Sequence, residues 1–426
     1  MSCFMFPKTI CDAINAAMGN FWWGSTDRGN KIHWKGWSSL CVPKQEGGLG
    51  FKDMHHYNVA LLAKQCWCIL SQPESLWVKV LKARYFPECD FLHANKGYRA
   101  SWGWSSILQA RDLIMEGSGW QIANGLKVNI WKENWLHPPD VRPIQTTAQI
   151  SNNGPHLVFE IIDWPSKTWN LDSILHLIQP SEANKILLIP IGSHDGEDRI
   201  TWPWNKRGVY TVSSGYTWIN SRRPISPPAV IQSSLNLALE FWSANRKDPP
   251  SLESEVRSRK RWQPPPLDVV DVCCDASWIE SGSCGMGVVI RSNSGELVDC
   301  VSNVNKCGSS AMAEANALLL GVETALNLGL GKVCLRSDSL EVINNIKASS
   351  NYMDWGLFPI IEEIRKRSQS FGSIPREANQ AAHVVASLTK SKLGLHRWAS
   401  MPPPSLASVL RNDGLPCPPA PVIRVI

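Results

Sequence analysis

The chain has 426 residues, of which 43% are hydrophobic and 19% charged; this length favours two or three domains, and this composition excludes an intrinsically disordered protein. The formal net charge of +6 is unevenly distributed, because residues 268–390 carry 10 basic and 14 acidic residues whereas the remainder carries 33 and 23. A basic part joined to an acidic part suits a polyanionic partner, although an ordinary solvated surface would have the same composition.

The sequence indicates no membrane segment. No apolar run approaches the roughly 20 residues that span a bilayer, and the first residues do not show the basic, apolar and small-residue pattern of a secretory leader. We therefore expect an intracellular protein whose 13 cysteines are thiols, in a nuclear or cytoplasmic compartment that the sequence does not decide.

Residues 1–135 are predicted to form a Trp-rich, mainly helical module, since 16 of the 21 tryptophans precede residue 221. Residues 57–70 and 74–85 are typical of helices, and residues 122–131 are typical of a strand with a hairpin turn at Asn124-Gly125. Residues 136–220 are predicted to continue as a small α+β segment. It should contain an amphipathic helix over 174–189 and short strands over 198–202 and 208–212.

Residues 221–266 are rich in proline and carry a basic cluster at Arg257, Arg259, Lys260 and Arg261. This composition predicts a linker. The cluster fits phosphate contacts, and it fits an ordinary basic linker as well.

Residues 267–390 are predicted to fold on their own as a mixed α/β domain. The predicted order is three strands, a helix for which Ser310 is the N-cap, a fourth strand and three further helices. The predicted bounds are strands over 269–278, 285–291, 297–304 and 332–337, and helices over 311–328, 340–348, 355–368 and 376–390. The Pro-rich residues 391–426 are expected to be loose.

Three acids lie at the ends of these elements: Asp275 in the first strand, Glu314 in the first turn of the long helix and Asp338 after the fourth strand. Carboxylates beside apolar strands repel each other and are costly to desolvate, and a divalent cation offsets both costs. Taken singly, Asp275 could be a turn residue, Glu314 a helix-start charge and Asp338 an N-cap. Their combined order is the observation that indicates a metal site.

Five motifs in this region occur in order with suitable gaps. They resemble the ribonuclease-H-like domain of plant non-LTR retrotransposons and their gene relatives, and several motifs before residue 221 resemble the region downstream of the reverse transcriptase in the same elements. The five motifs are Cys274-Asp275-Ala276-Ser277-Trp278, Gly285-Met286-Gly287-Val288-Val289-Ile290-Arg291, Ala313-Glu314-Ala315-Asn316-Ala317-Leu318, Arg336-Ser337-Asp338-Ser339, and the run from Arg376-Glu377-Ala378-Asn379 to His383.

This resemblance implies a mixed five-stranded sheet and cleavage of the RNA strand of an RNA/DNA hybrid by a two-metal mechanism. Asp275, Glu314 and Asp338 would be ligands of magnesium, with manganese as the alternative, and no small-molecule cofactor is implied. His383 stands where cellular ribonucleases H carry a fourth acid; it would border one ion, or it would be a partly exposed helix histidine.

The chain departs from the family pattern in three respects. It contains no Asp-Asp pair, so we expect no DNA synthesis. It lacks the Cys/His segment between the two halves. Residues 370–376 form a short segment, which predicts a missing or replaced fifth strand.

The leading interpretation is a hybrid-specific endoribonuclease. The alternatives are an inactive nucleic-acid-binding remnant and a protein-interaction scaffold built on the Trp-rich module, and the oligomeric state stays open.

Overall fold

The computed structural model describes residues 1–24, 29, 31–147, 154–222, 261–279, 281–348, 353–367, 371–389, 395–398 and 402–413. These residues belong to two compact units: one comprises Met1–Ser118, Trp202–Asn205 and Val209–Val256, and the other comprises Gly119–Thr201, Lys206–Gly208 and Arg257–Ile426. Most of the predicted linker, including Arg257, Arg259 and Lys260, lies outside the described residues. The predicted division of the chain into residues 1–135, 136–220, 221–266, 267–390 and 391–426 therefore stays a prediction.

The first unit is helical. Its helices are α1 (Lys8–Trp22), α2 (Trp37–Leu40), α3 (Met54–Ser71), α4 (Leu76–Tyr85), α5 (Trp102–Gly117) and α7 (Val212–Ser221). The aromatic content explains its core, since Trp104, Trp202 and Tyr210 are at most 1% exposed. The predicted strand over 208–212 is wrong, because the Thr211 hydroxyl accepts a hydrogen bond from the Ser214 amide and starts α7 instead.

The second unit begins with a small irregular layer. It contains β1 (Gly119–Gln121), β2 (Ile162–Asp163), β3 (Thr168–Trp169), α6 (Pro180–Leu187) and β4 (Arg199–Thr201), with β1 paired to β4 and β2 to β3. The predicted helix over 174–189 is correspondingly divided, with a short 3₁₀ turn over Leu175–Leu177 before α6.

The strand and hairpin predicted over 122–131 do not form. The buried Asp198 carboxylate accepts hydrogen bonds from the backbone amides of Ala123, Gly125 and Lys127, at 2.7–3.0 Å. These donors therefore bind a side chain, and the segment is a loop wrapped around Asp198.

The rest of the second unit is a mixed sheet with helices on both faces. The strands are β5 (Val270–Trp278), β6 (Ser283–Arg291), β7 (Leu297–Lys306), β8 (Val333–Ser337), β9 (Phe371–Ser373) and β10 (His396–Arg397), and the helices are α8 (Ser310–Asn327), α9 (Leu340–Lys347), α10 (Phe358–Arg367), α11 (Gln380–Leu388) and α12 (Pro404–Asn412). The order across the sheet is β10-β7-β6-β5-β8-β9. β5, β6 and β7 are antiparallel neighbours, whereas β8 is parallel to β5 and to β9.

Four expectations about this domain need correction. The sheet has six strands and not five, because β10 extends the edge beside β7. The fifth strand, expected to be missing or replaced, is present as the three-residue β9. The N-cap of α8 is Ser309 and not Ser310, since the Ser309 hydroxyl accepts a hydrogen bond from the Met312 amide. The tail is not loose between residues 402 and 413, since Leu406 and Leu410 of α12 are buried in the core that α11 forms on the sheet.

A buried ion pair holds α12 in place. Arg291 of β6 is fully buried and donates to Asp413 at 2.9 Å, and its guanidinium lies 4.7 Å from the centre of the Trp262 ring. Trp262 in turn donates to the buried Asp271 at 2.6 Å. Arg291 therefore contacts both Trp262, which precedes the predicted domain, and Asp413, which follows it, on one face of the sheet.

We expect Asp413→Ala to lower the free energy of unfolding of this unit by about 3 kcal/mol, because an unpaired buried guanidinium would remain. Urea denaturation followed by circular dichroism measures this loss. Glu197→Ala is the matched control, since it breaks an exposed pair with Lys127 and should therefore have a much smaller effect on stability. Equal effects of the two substitutions would contradict a structural role for the Arg291–Asp413 pair.

Candidate metal centre

Asp275 and Asp338 meet at the same edge of the sheet because their strands are parallel. Cys273 of β5 is opposite Arg336 of β8, and each acid lies two residues further along its strand direction. Asp275 is only 4% exposed, whereas Asp338 is partly exposed. The alternative of Asp338 as a helix cap does not hold, because Ser339 is the N-cap of α9.

Glu314 reaches this edge from α8. The helix packs closely on the sheet at Gly321, where a Cβ would lie 2.6 Å from the sulfur of Cys274. The carboxylates of Asp275, Glu314 and Asp338 each offer an oxygen, and these three oxygens lie within 4.8 Å of one another. The structure thus brings together the three acids that the sequence singled out as metal ligands.

His383 enters from the other face of the sheet on α11. This helix can approach the sheet because β6 has glycine at 285 and 287; a Cβ on Gly287 would lie 2.3 Å from the Ala386 nitrogen. Nδ1 of His383 is 2.7 Å from Oδ2 of Asp275, and the imidazole is 39% exposed. His383 is therefore a neighbour of the carboxylate cluster through Asp275.

Asn379 is a site residue that the sequence did not predict, although it belongs to the motif that leads to His383. Its Nδ2 donates to the Cys274 carbonyl at 3.0 Å and to Oδ1 of Asp338 at 3.2 Å, and the residue is 1% exposed. This amide links β5, α11 and Asp338. Its position in the sequence does indicate a role, because Asn379 precedes His383 by four residues, and residues at this spacing lie on the same face of a helix.

Burial and the neighbouring charges raise the pKa values of Glu314 and Asp275. Burial, followed by the charges of Asp275 and Asp338, raises the pKa of Glu314 to about 9. Burial and the charge of Asp338 also raise the pKa of Asp275, against the opposing effect of His383. The metal-free site therefore retains a proton on Glu314 at neutral pH.

A hard divalent cation fits this donor set. All three acids present oxygen, the atom that magnesium prefers, and magnesium completes its shell with water or substrate phosphate when only a few carboxylates are available. The residues that would hold it are Asp275, Glu314 and Asp338. His383 is a poorer magnesium ligand than a carboxylate because its donor is a neutral nitrogen.

Comparison with known proteins places the domain in a family. A family described as reverse transcriptase-like matches residues 273–389. The "Uncharacterized mitochondrial protein" of Arabidopsis thaliana is 39% identical over 137 residues, which are 32% of this chain and 89% of that protein. This chain belongs to the plant reverse-transcriptase-like family of retroelement origin.

A second Arabidopsis thaliana relative, named "Putative ribonuclease H protein", is 25% identical over 222 residues. The match covers 51% of this reverse-transcriptase-like chain and only 35% of the relative. This chain therefore spans about a third of the length of that protein.

Solved ribonucleases H are also similar to the domain of this reverse-transcriptase-like chain. RNase H1 of the archaeon Halobacterium salinarum is 22% identical and matches 29% of this chain and 98% of its own, with a TM-score of 0.27. LC11-RNase H1, isolated from compost, is 22% identical and matches 30% and 98%, with a TM-score of 0.26. No helix in the described parts of this chain is both long and apolar enough to cross a membrane.

We expect Glu314→Gln to stabilise the metal-free protein at alkaline pH. Because the pKa of Glu314 is raised in the folded state, from 4.5 to about 9, the unfolded chain ionises this group first and the free energy of unfolding falls as pH rises through that interval. Glutamine removes this loss. The expected gain is about 1–3 kcal/mol at pH 8 and near zero at pH 4.5.

Urea unfolding in EDTA at the two pH values measures the gain. Glu323→Gln is the control on the same helix, since Glu323 pairs with Arg367 at the surface and lies outside the cluster. A Glu314→Gln effect that does not change with pH would contradict the raised pKa.

Proposed function

We propose that this chain hydrolyses the RNA strand of RNA/DNA hybrids, using Asp275, Glu314 and Asp338 as ligands of divalent cations. The observation that carries the proposal is the convergence of these three carboxylates, within 4.8 Å, in a ribonuclease-H-like domain. One of the solved ribonucleases H similar to this domain, LC11-RNase H1, is in complex with an RNA/DNA hybrid.

Bound divalent cations would supply the chemistry by activating water and stabilising the departing 3′ oxygen. The protein's part is to hold charged oxygens in one place before the substrate arrives. Asp275 is close both to the other two acids and to His383, so its charge interacts with all three of these groups. Asn379 is a positioning residue, because it ties Asp338 to the Cys274 carbonyl of β5.

Substrate affinity should come mostly from the part of the chain outside the catalytic domain. Residues 268–390 carry a net charge of −4 and the remainder a net charge of +10. Binding to phosphates therefore requires basic residues beyond the domain, and it should weaken as salt is raised. Selectivity for a hybrid would rest on minor-groove shape and 2′-hydroxyl contacts.

The proposal is tested by incubating the full chain with a hybrid labelled on its RNA strand, in magnesium or in manganese. The protein is prepared from a host that lacks its own ribonucleases H, and RNA alone, duplex DNA and duplex RNA serve as substrate controls. We expect cleavage of the hybrid alone and background activity for Asp275→Asn, because asparagine keeps the size of the side chain but loses the charge that binds cations.

The thermal midpoint of metal-free Asp275→Asn distinguishes a lost ligand from a lost fold. We expect it to equal or exceed that of the wild type, since one charge leaves a repelling cluster. Hybrid binding without cleavage in either metal would replace the proposal with the inactive binding remnant. A lowered midpoint for Asp275→Asn together with no effect of metal on the wild type would show that Asp275 is structural.

We expect His383→Asp to raise the magnesium-supported cleavage rate by roughly tenfold, because it adds an oxygen ligand beside Asp275. His383→Asn is the matched control, since it has the same shape as aspartate without the charge. The comparison is made at saturating magnesium and again in manganese, where the advantage of the aspartate should shrink. A slower His383→Asp enzyme in both metals would indicate that the imidazole itself is required.

A further inference from the structure

Two buried cysteines meet at the end of the β6–β7 hairpin, away from the carboxylate cluster. The sulfurs of Cys284 and Cys307 lie 2.8 Å apart, and each residue is 1% exposed. The S–S bond of a disulfide is about 2.05 Å, so bond formation requires the sulfurs to approach by less than about 1 Å. The two thiols are therefore already placed for a disulfide.

The backbone around the pair is held in register by the sheet. Cys284 is opposite Asn305 in the β6–β7 ladder, and the Cys307 amide donates to the Gly282 carbonyl at 2.8 Å. Since Cys307 follows Asn305 by two residues, its side chain is on the same face of the ladder as the side chains of the Cys284–Asn305 pair. Closing the bond needs side-chain movement and little change of the backbone.

The two thiols are not equivalent. The two thiols share a hydrogen bond in which either sulfur can be the donor, whereas the Asn316 amide nitrogen donates to the Cys307 sulfur, at 3.4 Å. These hydrogen bonds lower the pKa of Cys307, whereas the interaction with Cys307 and burial raise the pKa of Cys284. Cys307 is thus the better nucleophile, and Cys284 is placed to react second.

A cavity of about 470 Å³ borders this pair on the side of Cys307. Cys307 and Asn316 both line it, together with Trp169, Lys306 and Glu323. The cavity therefore offers an aromatic surface and charges of both signs beside the nucleophilic cysteine. A small peptide disulfide with carboxylate and ammonium groups, such as oxidised glutathione, matches these features.

We propose that Cys307 and Cys284 form a dithiol site that reacts with a small-molecule disulfide of the glutathione class. The Cys307 thiolate attacks one sulfur of oxidised glutathione, forming a mixed disulfide and releasing one glutathione thiolate. The Cys284 thiolate then attacks the Cys307 sulfur, forming the Cys284–Cys307 bond and releasing the second. The protein dithiol is oxidised by two electrons, glutathione disulfide is reduced, and both protons end on the two glutathione thiols.

The test uses the reduced full chain, incubated with oxidised glutathione, quenched with an alkylating agent and digested for peptide mapping without reductant. We expect a linked peptide joining Cys284 to Cys307, reversible by dithiothreitol, and a higher thermal midpoint for the oxidised protein. In Cys284→Ala the reaction should stop at a glutathione adduct on Cys307. Cys300→Ala is the control, because it removes another buried β7 thiol and should leave the linked peptide unchanged.

The exposed Cys3 and Cys89 report within the same sample that the reagent is active. If they carry glutathione while Cys284 and Cys307 of the wild type remain free thiols, the proposal is overturned. An adduct on Cys284 in Cys307→Ala, with none on Cys307 in Cys284→Ala, would overturn the order of attack. None of these readouts depends on cleavage of nucleic acid, so the result is separate from the proposed ribonuclease activity.

Discussion

Repulsion among three carboxylates is the constraint around which the second unit is built. Asp275, Glu314 and Asp338 place oxygens within 4.8 Å of one another. Burial, together with the charges of Asp275 and Asp338, raises the pKa of Glu314 to about 9, so ionising all three acids is costly for the metal-free protein. Such a cluster lowers the stability of the metal-free protein, so the packing around it has to hold the three acids together. A bound cation would convert the same geometry from a cost into a gain in stability.

The packing of two helices imposes the cluster. Glycines at 287 and 321 let α11 and α8 lie against opposite faces of the sheet, closer than any side chain would allow. On the α11 side the core continues into α12, which the buried Arg291–Asp413 pair holds in place. The helix α11, which carries His383 and begins after Asn379, is therefore supported on its outer side by residues that follow the predicted end of the domain.

The sequence predicted the fold of residues 267–390 well where local pattern and long-range packing agree. The bounds of β5 to β8 and α8 to α10 could be read from apolar runs and caps, and the cluster itself from the order of the three acids along these elements. The exceptions have specific causes. The strand predicted at 122–131 does not form because its backbone amides donate to Asp198, some 70 residues away in sequence. The elements α12 and β10 were not predicted because the proline-rich composition around them gives no sign that Leu406 and Leu410 are buried. Asn379 has a role only through its contacts with Cys274 and Asp338, which are distant in sequence.

We propose that the three acids form a cation site in which a bound metal relieves the repulsion between their charges. Isothermal titration of the metal-free chain with Mn²⁺ at pH 7.5, repeated in buffers of different ionisation enthalpy, measures the metal bound and the protons released together. We expect saturable binding with release of close to one proton, and loss of that proton release in Glu314→Gln, because the metal displaces the proton that Glu314 holds. No binding, or binding with no proton released by the wild-type chain, would contradict it.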